Sequence, residues 1–167
     1  KSASFKAQFK AYPELIRSRR FWGYALSAGF ASGSFFAFLG GAPFVATIVL
    51  GLDPAQMGFY FIFISLGYMV GNYLAGRFSN VIGMNRMMFF GSLVSVLGMV
   101  VVVVLFMVGL QHPMSFFGMI AFVGIGNGMT LPNANAGIVS VRPHLAGSAS
   151  GLGGAVMIGG GAGLSAI

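Results

Sequence analysis

The sequence contains no cysteine, one tryptophan and only two acidic residues, Glu14 and Asp53, in 167 positions. Without cysteine there is no disulfide framework, no thiolate metal site and no redox-active thiol. Charged residues of both signs amount to 7%, whereas soluble domains carry about 25%. That deficit excludes an ordinary globular protein. The shortage of acids leaves a net charge of +7. Nucleic acid is not the counterpart of this charge, because the basic residues occupy short segments between apolar runs instead of lining one solvated face. The anionic inner leaflet of a membrane suits them better.

What is abundant is apolar: 57% of the residues, with a mean hydropathy of +0.90. Between Pro54 and Val141 only Arg77 and Arg86 are charged. Runs of this length and apolarity read as membrane spans. Five are expected, at roughly 21–50, 55–74, 87–110, 114–139 and 145–167. Residues 1–20 precede them as a cytoplasmic linker or surface helix; Phe5, Phe9 and Tyr12 recur at near-helical spacing, as in an amphipathic segment. The stretch Gly76–Arg86 is expected as a short polar turn between the second and third spans. The start at Lys1 and the end at Ile167 inside an apolar run point to a piece of a longer protein.

The spans differ in character. In the first, Ala25, Gly29, Gly33, Ala37 and Gly41 recur every fourth residue; Gly67, Gly71 and Ala75 repeat the row in the second, and in the fifth Gly147, Gly151, Ala155, Gly159 and Gly163 do the same. Small side chains in a row let another helix approach closely, so these rows are expected to be packing faces. The third span is aliphatic all round from Met99 to Val108 and should face lipid. The fourth places Gly124, Gly126, Gly128, Asn127, Pro132, Asn133 and Asn135 inside an apolar helix. Such residues are tolerable in a bilayer only where neighbouring helices or a water-filled cavity satisfy them, and Pro132 is expected to break the helix. A substrate cavity is therefore expected from Phe30, Ser34 and Phe38 of the first span, Tyr60, Tyr68 and Asn72 of the second, and Asn127 and Asn133 of the fourth, with the fifth span as a further wall and the third excluded. Aromatic walls with a few amides suit bulky apolar or cationic small molecules.

Charge sets the orientation. All nine basic residues fall in residues 1–20, the Arg77/Arg86 turn and the Arg142 turn, on one side of the membrane; the other side has Asp53 and His112. Positive charge stays cytoplasmic, so Lys1 is inside and Ile167 outside. His112 and His144 then lie at opposite faces and cannot cooperate, and no catalytic constellation or metal site remains. Gly124-x-Gly126-x-Gly128 does not complete a nucleotide-binding loop and reads as close packing, so no cofactor is expected. The span interiors hold no ionisable carboxylate that could carry protons.

The central turn carries a resemblance. Gly76, Phe78, Ser79, Asn80, Gly83 and Arg86 match the cytoplasmic loop of the major facilitator superfamily, G-x-L-[AS]-[DN]-[RK]-x-G-R-[RK]-[RK], while Val81, Met84 and Asn85 depart from it. In addition, Phe21-Trp22-Gly23-Tyr24, the run from Phe38 through Pro43 to Phe44, the run from Gly126 to Asn135 and the run from Gly147 to Gly154 resemble the Bcr/CflA drug-resistance transporters. The resemblance covers nearly the whole chain and implies helices 7 to 11 of a twelve-helix protein. It implies an all-α membrane protein, a helical bundle with a partial major facilitator fold of five transmembrane helices, in a bacterial inner membrane. The implied function is export of drugs or small metabolites by alternating access. Proton antiport is implied as well, the proton passing through the amino-terminal half outside this chain. Gly76, Arg77, Asn80, Gly83 and Arg86 would form a cytoplasmic gate loop. A non-transporting membrane scaffold or assembly subunit is the alternative.

The orientation is testable, because the chain has no native cysteine to obscure a label. A cysteine at Gln111 should react with an impermeant thiol reagent added outside intact cells, and one at Asn85 only after permeabilisation. The opposite pattern would invert the topology.

Overall fold

The computed structural model describes residues 12–165, with side chains to residue 163; the expected amphipathic positions Phe5 and Phe9 lie outside them. Every regular element among the described residues is helical. After a helical turn at 12–16, the α-helices among the described residues are, in order, α1 (Arg19–Phe44), α2 (Pro54–Tyr60), α3 (Ile62–Ile82), α4 (Met84–Met107), α5 (Met119–Ser140) and α6 (Ala146–Ser165). Wider π-helical turns extend α1 through Val45–Val49 and lead into α5 over Met114–Gly118. One follows Pro43 and the other Pro113, where a missing backbone donor loosens the regular ladder.

Four stretches are long and apolar enough to cross a membrane: Arg19–Val49, Pro54–Ile82, Met84–Met107 and Met114–Ser140. They coincide with the first four expected spans to within a few residues at most ends. The exception is the second, which overshoots its expected end at Leu74 by two turns. Arg77, Ser79 and Asn80 are helical, and the expected eleven-residue turn contracts to Gly83 alone, at φ +87°. Charged and polar residues mark where a helix leaves the hydrocarbon, not where it stops; only glycine adopts this backbone readily. The fifth expected span is a helix of 20 residues. It is not among those four stretches.

Asp53 caps the start of α2 by accepting from the Gln56 backbone N–H at 2.8 Å, while Gln56 Oε1 accepts from the Asp53 backbone N–H at 3.1 Å. This reciprocal box satisfies two otherwise orphaned donors. Tyr60 to Ile62 joins α2 to α3 with Phe61 still in helical geometry, so the pair acts as one span.

The bundle is arranged about α5, which packs on α3, α4 and α1, while α6 packs mainly on α1. The close approaches fall on the small-residue row of the second span and on the fourth-span glycines read as close packing, and not on the row of the fifth span. A Cβ on Gly71 would run into the Ile125 carbonyl and lie 2.9 Å from Gly128 Cα; one on Gly128 would lie 2.7 Å from the Asn72 backbone nitrogen. On the other flank, a Cβ on Gly91 would lie 2.7 Å from the Gly126 carbonyl oxygen. By contrast, Gly147, Gly151, Gly159 and Gly163 have nothing within 4 Å, and α6 meets α1 instead through residues such as Val156 and Gly161. Two core clusters sit at the two ends of the bundle. Leu15, Phe21, Tyr24, Ile138 and Ala149 form the one at the Lys1 side, and Phe38, Ala42, Ile64, Phe117 and Ile120 the other. Most of α4, including Leu93, Val96, Leu97, Val100 and Val103, is exposed apolar surface, as lipid contact requires.

Two glycines on α3 provide a matched test. Gly71→Ala should destabilise the bundle by about 1–3 kcal/mol, because the added methyl meets backbone that has nowhere to move. Gly76→Ala, in open space on the same helix, should stabilise it by up to about 1 kcal/mol through helix propensity. Thermal unfolding in detergent reads both; equal shifts would remove the close approach from the account.

Candidate functional site

A cavity of about 470 Å³ opens between α1, α3 and α5. Ser32 and Phe35 of α1 form one wall, Phe61, Ile64, Ser65, Tyr68 and Met69 the second, and Gly124, Asn127 and Leu131 the third. Tyr68 and Asn127 sit at the centres of their spans, Pro54–Ile82 and Met114–Ser140, and Ser32 and Phe35 flank the centre of Arg19–Val49. The cavity therefore lies at mid-depth. Helix α4 contributes nothing to it, as its aliphatic surface led one to expect; α6 contributes nothing either, although a wall from the fifth span was expected.

The polar groups around the cavity fall into two kinds. Ser32 Oγ donates within α1 to the Ala28 carbonyl at 2.8 Å and lies 3.1 Å from the Met157 carbonyl of α6, and Ser65 Oγ donates to Phe61 O at 3.3 Å. These hydroxyls are spent on backbone. Asn127 is different: only 4% exposed, its amide makes no hydrogen bond among the described residues. The Tyr68 hydroxyl has none either, although Tyr68 is 40% exposed. The Asn127 amide atoms are not sealed from open space, so these two groups are available to something entering the cavity.

Local packing fixes both residues. Gly124 and Gly128 press α5 against the backbone of Tyr68, a Cβ on Gly124 lying 2.9 Å from its nitrogen. Asn127 is carried between those two glycines. Phe61 closes one end of the cavity: its ring lies 5.3 Å from Phe38 and 6.0 Å from Phe117, and Tyr60 stacks on Phe117 at 5.2 Å. This aromatic plug is at the end of the bundle that carries Asp53 and His112.

Of the eight expected cavity residues the structure places two, Tyr68 and Asn127, on the wall. Phe30 is 64% exposed and turned away, Ser34 is half-buried and donates to the Ala31 carbonyl, and Phe38 is 6% exposed within the aromatic plug. Tyr60 belongs to the same plug. Asn72 donates to the Tyr68 carbonyl at 2.8 Å, and Asn133 to the Met129 carbonyl at 2.8 Å, each within its own helix. Pro132 does not break α5, which runs unbroken from Met119 to Ser140. The helix tolerates it because flanking helices bury this stretch. Ser32, Phe35, Ser65 and Met69 were missed; their only sequence signal was position, within a turn or so of a span centre.

At the Gly83 end of the bundle, Arg77, Asn80 and Arg86 are exposed and form no side-chain hydrogen bond among the described residues; Gly76 has open space around it. Two contacts there had no sequence signal. Tyr24 donates its hydroxyl proton to Asn85 Oδ1 at 2.9 Å, tying α1 to α4. Glu14 pairs with Arg142 at 2.6 Å, and Leu15, fully buried, anchors the helical turn 12–16 against the bundle.

The Major Facilitator Superfamily matches residues 1–166. The chain belongs to that superfamily. A curated relative from Bacillus subtilis (strain 168), described as the uncharacterized MFS-type transporter YdgK, is 28% identical over 151 residues, which cover 90% of this chain and 37% of that protein. The chain thus spans well under half the length of this relative. No solved structure matches. Superfamily membership accords with the four apolar crossings and makes this a multi-pass membrane protein with a partial major facilitator fold.

Cavity and lipid face are separable by chemistry. In full-length protein, cysteines at Ser65 and Tyr68 should react with a membrane-impermeant thiol reagent that enters through water. A cysteine at Val103, more than half exposed but facing lipid, should stay unreacted, since thiolate does not form in hydrocarbon. Reaction at Val103 without reaction at Ser65 would misplace the aqueous path.

Proposed function

We propose that this chain is the carboxyl-terminal transmembrane half, helices 7 to 11, of a small-molecule exporter of the Bcr/CflA type in a bacterial inner membrane. The mid-depth cavity between α1, α3 and α5, with its buried unpaired amide, carries the reading. A site at the bilayer centre can face either side as one half of the protein rocks against the other, which is the requirement of alternating access. Helix α6 makes the fifth crossing, with residues 1–20 and the Gly83 junction on the cytoplasmic side. Gly76, Arg77, Asn80, Gly83 and Arg86 form the cytoplasmic gate loop; Arg77, Asn80 and Arg86, exposed and uncommitted within the bundle, are free to meet the opposing half. The substrate is a drug or small metabolite with an apolar or aromatic body, matched to walls of Phe35, Phe61, Ile64, Met69 and Leu131.

The cavity wall carries no acid, histidine or basic residue. Proton antiport therefore places the proton-carrying group in the amino-terminal half, and substrate and proton compete through conformation instead of through a shared contact. A non-transporting scaffold would need the close glycine packing but not the cavity.

Full-length protein in proteoliposomes tests the proposal. An imposed pH gradient should drive accumulation of a fluorescent aromatic compound, and nigericin, which collapses that gradient, should abolish it. Uptake that survives nigericin would remove proton coupling. No movement of any compound across a panel of aromatic amphiphiles would favour the scaffold.

A further inference from the structure

Resting on the cavity just proposed as the substrate site, we infer that Asn127 is its specificity-determining residue and selects neutral molecules that carry an amide-like hydrogen-bonding edge on an aromatic or aliphatic body.

The argument begins with what the wall lacks. None of the residues lining the cavity is charged, so a bound anion would be desolvated with no partner from this wall. A cation would find only ring faces, which return part of its lost hydration. Neutral ligands avoid that cost. The wall then offers one buried polar side chain that is not already engaged. The Ser32 and Ser65 hydroxyls donate to helix carbonyls; the Asn127 amide, 4% exposed, has no partner among the described residues. An asparagine amide presents a carbonyl acceptor beside an N–H donor. Its best complement is a group with the same pair reversed, which is the edge of an amide, lactam or related heterocycle.

Position adds selectivity. Gly126 of α5 lies against Gly91 and Ser95 of α4, and Gly128 against Tyr68 and Asn72 of α3. Asn127 sits between them on backbone clamped from two sides, so its side chain cannot retreat by a helix shift. A site built to hydrogen-bond rejects an analogue that lacks the bonding group, because the buried amide is then left unpaired. Tyr68, with its free hydroxyl on the opposing wall, is placed to contact the same polar edge or its ring.

Three probes separate the possibilities: benzanilide, which has two rings joined by an amide; trans-stilbene, with nearly the same shape and no amide; and tetraphenylphosphonium, a bulkier, permanent aromatic cation. Binding to full-length protein in nanodiscs is measured by equilibrium dialysis for the native protein, Asn127→Leu and Asn127→Asp, with thermal unfolding to establish that each variant is folded. Benzanilide should bind native protein more tightly than stilbene. Asn127→Leu should weaken benzanilide about tenfold, the loss of one good hydrogen-bonded pair, and leave stilbene unchanged or improved. Asn127→Asp, isosteric but charged, should improve tetraphenylphosphonium relative to benzanilide. Should Asn127→Leu fail to fold, Asn127→Asp and the native benzanilide-to-stilbene ratio still decide. Equal binding of benzanilide and stilbene to native protein, equal loss of both in Asn127→Leu, or tetraphenylphosphonium as the preferred native ligand would overturn the assignment. The underlying cavity is read separately, as protection of a cysteine at Ser65 from thiol reagent by whichever probe binds. Protection without amide preference sinks only the role of Asn127; binding of a probe without protection sinks the cavity.

Discussion

The bundle depends on how closely the backbone of α5 lies to those of α3 and α4. At Gly71 and Gly128 on one flank, and at Gly91 and Gly126 on the other, there is no room for a single methyl group. In a bilayer this matters more than it would in water, since lipid tails are as apolar as leucine and burial alone does not hold helices together. Dispersion across short distances and backbone-to-backbone contact must do so. These contacts also fix the one helix whose centre carries Asn127, so packing and site share a cause. The cavity exists where α1 stands off from the tightly joined pair, with Phe35 and Leu131 bordering the gap.

Hydropathy and charge made the crossings legible. Three of the first four apolar helices have close to the expected bounds, the second running on to Ile82, and the aliphatic third span lies on the outside of the bundle. Helical faces were less legible. A step of four residues turns about 40° past a full revolution, because a helix repeats every 3.6 residues. Phe30, Ser34 and Phe38 therefore drift around α1 from lipid to core instead of sharing a wall. The same drift carries the fourth-residue glycines of α6 off any single partner. Which small residue meets another backbone depends on the neighbour's position, and that information lies in a different segment of the chain. Tyr68 and Asn127 were recoverable because each is polar, flanked by glycine within a turn, and at the middle of its span.

Helix ends were the other weak point. The polar stretch at residues 76–86 was expected as a turn, yet only Gly83 interrupts the helices. Nothing between Gly76 and Ile82 opposes helical geometry strongly, so α3 continues into water until a residue with positive φ stops it. Pro132 failed as a breaker for a related reason: neighbours on several sides hold α5 in line. The docking of residues 12–16 through Leu15 and the Glu14–Arg142 pair joins positions far apart in sequence, which no local pattern reveals.

The single-residue junction at Gly83 has a mechanical consequence. Helices α3 and α4 touch each other little, yet both lie against α5. They make a fork with Gly83 at its root, and α5 is gripped between the prongs like cloth in a clothes-peg. One residue of connection gives no slack for a prong to slide along its neighbour, and the glycine contacts leave no clearance for α5 to shift between them. Movement within the group would have to splay the fork. That geometry favours the three helices tilting together, and leaves flexing to the sparser seam between α5 and the α1–α6 pair.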